Sequence, residues 1–254
     1  MRGILWREFT RARDRNGLNY FSESVAGWAD GVLGHIGRWF REGRITWPEY
    51  AVLVSSLIET LDRAANTTGV YAACLKSPPR VQKISRVKMI IETRGPVGSA
   101  YHMDAVDALE RIPCNLAYLD PPYNARQYPS YYHIPEIVAR LPLCDGEAAA
   151  EALVNSTKML PHRDSSIFAS KVGAAAAFED LFQRCAAPRI LLSYSNDGIV
   201  SLEDILEMMD KCGWDTKVYS VPHRRYRSSA KTSRKPVMEY LVFAENDGRA
   251  SERC

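Results

Sequence analysis

Apolar residues recur at helical spacing in the first third of the chain. Ser22 has the side chain of a helix N-cap, and the apolar positions that follow it repeat every three or four residues until Gly43. Residues 46–49 (TWPE) carry a second start signal, and the apolar residues after it lie on one helical face. This pattern predicts a helical hairpin that ends near Lys76.

From about residue 86 the pattern changes, and short apolar runs alternate with amphipathic stretches. Such alternation is typical of an α/β domain with a mostly parallel sheet between two layers of helices. The predicted strands cover 87–91, 99–103, 115–119, 189–194, 215–221 and 237–243. The predicted helices cover 105–112, 134–141, 174–185 and 202–212. Residues 142–170 are predicted to be loop-like.

These patterns divide the chain into four regions. They are an N-terminal remnant (1–19), a helical subdomain (20–80), an α/β core (81–245) and a polar tail (246–254). The length of 254 residues and the hydrophobic content of 46% suffice for one α/β core with a small subdomain.

Composition excludes several classes of protein. The six cysteines form no C-x-x-C pair, so we expect no metal site, no disulfide framework and a reducing cytoplasm. No apolar run approaches the ~18 residues that a membrane span needs, so we expect no membrane association.

The clearest candidate chemistry follows the predicted strand that ends at Leu119. Asp120, Pro121, Pro122 and Tyr123 come directly after it, and prolines force the chain to leave a sheet. Ligands of open α/β sheets bind at the carboxyl ends of strands. Carboxylate and carbonyl acceptors beside an aromatic ring suit a planar ligand that carries an amino group.

This motif resembles motif IV of the amino-methyltransferases. The longer stretch DPPYNARQYPSYYH, from Asp120 to His133, resembles more narrowly the Dam-like class of adenine-specific DNA methyltransferases. The resemblance covers residues 20–243. It implies a Rossmann-like methyltransferase sheet with a helical insert, S-adenosylmethionine as methyl donor, double-stranded DNA as substrate and a bacterial restriction–modification role.

The resemblance also implies roles for the motif residues. Asp120 and the Pro121 carbonyl would accept hydrogen bonds from the two N–H bonds of the adenine amine, and Tyr123 would stack on the ring. Pro122 belongs to the same catalytic motif. The base would be flipped out of the duplex. Arg126, Gln127 and Tyr128 are candidates for contacts with the DNA.

Two further strand ends are candidates. Asp104 resembles the carboxylate that holds the adenine end of the cofactor, although an Asp at this place is also a normal helix N-cap. Ser195 and Asn196 lie in SYSNDG, which resembles a segment of the target pocket and also predicts a β-turn around Gly198.

Two other segments are open to more than one interpretation. Arg224, Arg225, Arg227 and Lys231 lie in a stretch without acidic residues, which is either a solvated loop or, beside a DNA-modifying motif, a phosphate-contacting one. In the helical insert, Asn66 and Tyr71 could face DNA or cofactor, or could pack in the core.

One expected part of the family pattern is not found. Members carry a strand, a Gly-rich loop and a helix that cradle the cofactor, and no such unit precedes Asp104. The glycines at 31, 34 and 37 lie within a helical pattern. We therefore expect a separate or upstream polypeptide to supply the cofactor motifs, and weak or no binding of S-adenosylmethionine by this chain alone. The alternatives are an inactive DNA-binding remnant and an amino-methyltransferase acting on RNA.

Overall fold

The computed structural model describes residues 2–11, 18–77, 98–158, 165–223 and 237–246. In chain order, the helices are α1 (Ile4–Phe9), α2 (Glu23–Arg41), α3 (Trp47–Ala64), α4 (Ala105–Arg111), α5 (Tyr128–Tyr131), α6 (His133–Arg140), α7 (Gly146–Lys158), α8 (Ala174–Arg184) and α9 (Leu202–Lys211). The strands are β1 (Ala117–Leu119), β2 (Arg189–Ser195), β3 (Asp215–His223) and β4 (Val237–Glu245). Short 3₁₀ turns cover Leu141–Leu143 and Ile167–Ala169.

The chain forms two compact units. The helical unit consists of residues 1–96 and 128–164, and the sheet unit of residues 97–127 and 165–254. The predicted α/β class is confirmed. The predicted regions divide the chain differently. They assign residues 128–164 to the α/β core, whereas in the structure these residues pack with the helical unit. The predicted strand over 87–91 lies outside the described residues.

The predicted helical hairpin is confirmed as α2 and α3. The Ser22 hydroxyl accepts a hydrogen bond from the Val25 N–H (3.3 Å) and caps α2. Gly43 follows α2 with φ of 67°, a left-handed conformation that favours glycine. At the start of α3 the Glu49 carboxylate accepts the Thr46 N–H (2.7 Å), and this bond lowers the pKa of Glu49.

The helical unit has its own core, which includes the start of the chain. Phe9 in α1 packs against Tyr20 in an edge-to-face arrangement and against the ring of His133. The largest fully buried side chains of this core come from α1, α3, α6 and two connecting segments: Leu5, Phe9, Phe21, Leu57, Leu61, Tyr71, Ile134 and Ile137. Residues 2–11 are thus part of a packed unit.

Asn66 and Tyr71 belong to this core. Tyr71 is buried, its N–H donates to the Tyr131 carbonyl (2.9 Å), and burial raises the pKa of its hydroxyl. The Asn66 side-chain amide lies within hydrogen-bond distance of the Asn19 and Ser77 carbonyls (3.0 and 2.8 Å). Of the two interpretations of these residues, the structure supports core packing.

A buried carboxylate in α2 holds the first turn of α1. Asp30 is 6% exposed, and its oxygens accept the N–H groups of Gly3, Leu5 and Trp6 at 2.8 to 3.0 Å. These are N–H groups that a helix cannot pair internally, so Asp30 acts as a remote N-cap. Burial raises the pKa of Asp30, and the three N–H donors oppose that shift.

Helix α7 replaces a predicted loop. Residues 142–170 were expected to be loop-like, but Gly146–Lys158 forms α7. The segment EAAAEAL explains the difference, because alanine, glutamate and leucine have high helix propensity and lack the branching at Cβ that opposes it. Ala150 and Val154 of α7 are buried in the core of the helical unit.

The sheet unit contains one mixed four-stranded sheet in the order β1–β2–β4–β3. β1 and β2 are parallel, with Leu119 opposite Leu192, while β4 runs antiparallel to both β2 and β3. The prediction of a mostly parallel sheet is therefore wrong for the described strands. The reason is that β4 lies between β2 and β3 instead of extending the parallel series.

The two faces of this sheet differ in their packing. The covered face carries Ala117, Ile190, Leu192, Val242 and Ala244, which are all buried with side chains of α4, α8 and α9. On the open face the strand register aligns Tyr118, Leu191 and Phe243 in one row and Leu241 with Tyr219 in the next. In the part of the chain that the structure describes, the predicted two layers of helices are thus reduced to one.

The predicted strand over 99–103 is wrong, since residues 98–104 lie in no strand. Tyr101, His102 and Met103 are exposed. The apolar residues of this segment suggested a buried strand, but their side chains do not enter a core. The helix predicted after it, over 105–112, is confirmed as α4.

We predict that Asp30→Ala lowers the free energy of unfolding by about 2 kcal/mol or more, because three N–H groups near a buried site lose their acceptor. Urea unfolding followed by circular dichroism measures the change. Asp210→Ala removes an exposed carboxylate on α9 and is the control, with an expected effect within about 0.5 kcal/mol. Equal effects of the two substitutions would contradict the capping role.

Candidate functional site

The candidate site lies at the carboxyl ends of β1 and β2. Asp120 comes directly after β1 and is exposed, while Pro121 and Pro122 are half-buried. Because β1 and β2 are parallel, the residues that follow them leave the sheet at the same edge. The structure therefore brings Asp120 and the segment after Tyr194 to one edge, as the two strand-end motifs had suggested.

A backbone hydrogen bond joins the two segments. The Ile199 N–H donates to the Tyr123 carbonyl at 2.8 Å. Tyr123 is held through its main chain, and its side chain remains 42% exposed. A fixed backbone with an accessible ring is what a stacking residue requires. Sequence reasoning did not identify Ile199, because a backbone donor leaves no signature in residue type.

The turn that presents Ile199 depends on Gly198 and Tyr194. The Gly198 N–H donates to the Ser195 carbonyl (3.0 Å), which confirms the predicted β-turn. Tyr194 is buried, and its hydroxyl accepts the Val200 N–H (3.3 Å). Burial raises the pKa of Tyr194, so the hydroxyl stays protonated at neutral pH. A Cβ at position 198 would overlap the Tyr194 ring and hydroxyl.

Ser195 and Asn196 are both engaged within the sheet unit. Ser195 is buried, and its hydroxyl accepts the Asp197 N–H (3.3 Å). Asn196 pairs twice with Met238: its N–H donates to the Met238 carbonyl, and its Oδ1 accepts the Met238 N–H, both at 3.0 Å. These bonds position the start of β4. Contacts of Ser195 and Asn196 with a target base remain a prediction.

The segment after Tyr123 is fixed by side chains. Asn124 Oδ1 accepts the Arg126 N–H (3.0 Å), which forms an Asx-turn, and Arg126 is exposed. The Gln127 amide binds the backbone of Ser166 in both directions, donating to its carbonyl (3.1 Å) and accepting its N–H (2.8 Å). Gln127 thus ties its loop to a second one, and its contact with DNA stays a prediction.

Tyr128 begins the other unit. In α5 of the helical unit it contacts Tyr132 edge to face, with the ring centroids 5.7 Å apart. Tyr128 and Tyr132 are 54% and 45% exposed. They form an accessible aromatic pair, whereas the next residue, His133, packs against Phe9 and Tyr20.

Asp104 caps α4. Its Oδ1 accepts the Val106 N–H at 2.9 Å, and the residue is exposed. The cap interpretation is confirmed. The cofactor role remains a prediction, and in that role the second carboxylate oxygen, Oδ2, would contact the cofactor. Arg224, Arg225, Arg227 and Lys231 lie outside the described residues.

The described residues contain neither a metal-binding cluster nor a membrane-spanning helix. Within those residues no group of three or more His, Cys, Asp or Glu side chains is arranged to hold a metal ion. None of the helices in the described ranges has both the length and the apolar character that a membrane span requires.

Comparison with known proteins finds a family similar to part of the chain. A family model described as D12 class N6 adenine-specific DNA methyltransferase matches residues 38–141, a range that contains Asp104 and the Asp120–Tyr123 motif. This segment is similar to the D12 class. The resemblance read from the sequence is thereby confirmed. No solved structure matches the chain.

Several curated relatives are type II modification methylases. Modification methylase StsI of Streptococcus sanguinis is 32% identical over 89% of this chain and 34% of StsI. Type II methyltransferase M.FokI of Planomicrobium okeanokoites is 28% identical over 90% of this chain and 35% of M.FokI. For M.NlaIII of Neisseria lactamica, identity is 28%, and the match covers 89% of this chain and 67% of M.NlaIII. The chain thus spans about a third of the length of the first two relatives.

We predict that Gly198→Ala lowers the free energy of unfolding by about 1–3 kcal/mol, because the added methyl group overlaps the buried Tyr194 ring. The unfolding midpoint in urea measures this. Gly31→Ala is the matched control: it adds a methyl group within α2 where nothing lies within 4 Å, and it should raise stability by about 0.5–1 kcal/mol. A neutral Gly198→Ala variant would show that the close approach to Tyr194 imposes no constraint.

Proposed function

We propose that this chain carries the target-base half of a site-specific adenine methyltransferase of a restriction–modification system. The product would be N6-methyladenine in double-stranded DNA. The observation that supports this most is the edge shared by β1 and β2. The exposed Asp120 and the tethered Tyr123 lie there three residues apart, within the segment that matches the D12 class.

The proposed chemistry begins with the target amine. Its nitrogen lone pair is delocalised into the adenine ring, so the nitrogen is a poor nucleophile. Two acceptors on its two N–H bonds, the Asp120 carboxylate and the Pro121 carbonyl, would favour a tetrahedral nitrogen with an available lone pair. Asp120 follows its strand directly and is exposed, so its carboxylate is accessible to such a donor. Pro122 fixes the backbone between these acceptors and Tyr123.

Tyr123 would hold the flipped base. Stacking requires an aromatic face that is accessible and a backbone that does not move, and Tyr123 has both. The Tyr128–Tyr132 pair is a further aromatic surface on the helical unit, and Arg126 is an exposed cation for phosphate. The reaction then depends on positioning and on electrostatic stabilisation more than on acid–base catalysis.

S-Adenosylmethionine would supply the methyl group as a sulfonium. The Asp104 carboxylate fits one part of its binding, because the N-cap uses Oδ1 and leaves Oδ2 of an exposed residue to accept a hydroxyl or amino group. We propose that a separate or upstream polypeptide carries the Gly-rich loop for the rest of the cofactor. A DNA substrate of this kind places the enzyme in the bacterial cytoplasm.

We predict that Asp120→Ala lowers methyl transfer about 100-fold or more in the complex with the complementing polypeptide, because the amine loses one of its two acceptors. Transfer of a radiolabelled methyl group to duplex DNA measures this. The unfolding free energy should change by less than about 0.5 kcal/mol, since Asp120 is exposed. Asp210→Ala is the control and should retain full activity. Full activity of Asp120→Ala would refute the assignment.

Tyr123→Ala is expected to lower kcat/KM for DNA by about 10- to 100-fold, because one base–aromatic stack contributes ~1–3 kcal/mol. Tyr123→Phe keeps the ring and should stay within about threefold of the wild type. Both substitutions preserve the tether, which uses the Tyr123 carbonyl. Steady-state kinetics on duplex DNA compares them. Equal losses in both variants would mean that the hydroxyl, not the ring face, is required.

A further inference from the structure

A second segment of the sheet unit is tied to the loop that carries the candidate motif. The side-chain amide of Gln127 donates to the Ser166 carbonyl at 3.1 Å and accepts the Ser166 N–H at 2.8 Å. Gln127 follows Tyr123 by four residues, and both ends of the tether belong to the sheet unit. The two hydrogen bonds therefore fix residues 165–173, here called the Ser166 turn, next to the loop that begins at Asp120.

The Ser166 turn is held on its inner side by the core of the sheet unit. Phe168 and Ala169 are buried, and the Phe168 ring packs edge to face on Phe178 of α8, with the centroids 5.2 Å apart. The Ser170 carbonyl accepts the Ala174 N–H at 3.0 Å, so the turn leads directly into α8. The turn is thus a packed element with a fixed backbone.

The two ends of the Ser166 turn approach each other closely. A Cβ at Gly173 would lie 2.8 Å from Cγ1 of Ile167, which is well inside van der Waals contact. Ile167 therefore closes the turn by packing where any other residue at position 173 would place its side chain. As a consequence, Lys171 and Val172 form the tip of the turn.

The tip presents a cation and an apolar side chain. Val172 is 96% exposed, Lys171 is exposed, and Ile167 at the base of the turn is 53% exposed. Single exposed apolar residues are common on protein surfaces. Val172 differs from them because it lies beside a lysine, on a fixed turn that is hydrogen-bonded to the loop of the candidate site.

The charges of the two tied loops have one sign after Asp120. Residues 121–127 and 165–173 contain no Asp or Glu, and each segment carries one cation, Arg126 or Lys171. Both cations are exposed. A pair of exposed cations on tied loops that flank the proposed acceptors for the target amine suits a polyanionic ligand.

Base flipping creates two requirements that such a tip meets. Moving an adenine out of the duplex costs the stacking energy with its neighbours, and apolar side chains that enter between base steps replace part of the lost contact. The backbone on either side of the flipped nucleotide must also be held in register, which is the role of phosphate contacts from lysine and arginine.

We propose that the Ser166 turn is a DNA-contacting element of the site, in which Lys171 binds a phosphate next to the target adenine and Val172 contacts the bases beside the flipped one. This inference rests on the proposed function for the identity of the nucleic acid. In this arrangement Gln127 positions the turn through its two hydrogen bonds with the Ser166 backbone.

The first test measures binding of the full chain to a fluorescent duplex of about 30 base pairs, by anisotropy between about 50 and 200 mM KCl. Lys171→Gln should weaken binding about threefold to tenfold and reduce the slope of log affinity against log salt by about 0.9, because one phosphate contact is lost. Lys211→Gln is the matched control. Lys211 is exposed at the end of α9 that lies away from the motif, and its replacement should leave the slope unchanged.

The second test compares a fully paired duplex with one that carries a mismatched adenine at its centre, because a mismatched base is easier to flip. The wild-type chain should bind the mismatched duplex more tightly. Val172→Ser should lose at least about threefold of this preference because it removes apolar contact area, whereas Val172→Ile should keep it. The unfolding midpoints of all variants in urea should match the wild type, since the replaced side chains are exposed.

Several results would overturn the inference. One is that the full chain binds no duplex at about 50 mM KCl. Others are equal salt slopes for Lys171→Gln and Lys211→Gln, or an unchanged mismatch preference in Val172→Ser. Losses that appear on single-stranded RNA and not on duplex DNA would also overturn it, because the occupant is then RNA.

The proposed function fails separately from this inference. If the variants lose binding as expected but the complex with the complementing polypeptide transfers no methyl group to DNA, the DNA contact stands and the activity does not. If that complex methylates DNA and Lys171→Gln has the same kcat/KM as Lys211→Gln across the salt range, the activity stands and the DNA contact is wrong.

Discussion

The parallel pairing of β1 with β2 is the constraint on which the candidate site depends. It places the residues after Leu119 and after Tyr194 at one edge of the sheet, and the bond from the Ile199 N–H to the Tyr123 carbonyl then joins them. Without that pairing, Asp120 would end an isolated strand and the Tyr123 carbonyl would have no Ile199 N–H beside it. The antiparallel β4 adds to this arrangement, because Met238 pairs with Asn196 and fixes the turn from the other side.

The polar residues near the motif divide into those that build the site and those that remain accessible. The side chains of Gln127, Ser195 and Asn196 form hydrogen bonds with backbone groups of Ser166, Asp197 and Met238, respectively. Asp120 and Tyr123 stay exposed. This division is what a positioning mechanism requires: the side chains proposed to meet the substrate make no structural contacts that they would have to give up, and the surrounding side chains hold the backbone in place.

The sequence predicted the parts that local patterns determine. Ser22 and residues 46–49 marked the helix starts, and Asp120 was found at a strand end because prolines cannot continue a strand. The errors came from features that depend on tertiary context. Residues 99–103 have the composition of a strand but are exposed. The position of β4 between β2 and β3 is visible only in the assembled sheet. Backbone tethers such as Ile199, and the remote cap Asp30, leave no signal in residue type.

The most direct test of the account is the chemical identity of the methylated nucleoside. Duplex DNA treated with the complemented complex and S-adenosylmethionine would be digested to nucleosides and analysed by mass spectrometry. The account predicts N6-methyldeoxyadenosine in the sample from the wild-type chain, and none above background with Asp120→Ala. Methylated cytosine as the product, or N6-methyldeoxyadenosine formed equally well by the Asp120→Ala variant, would contradict it.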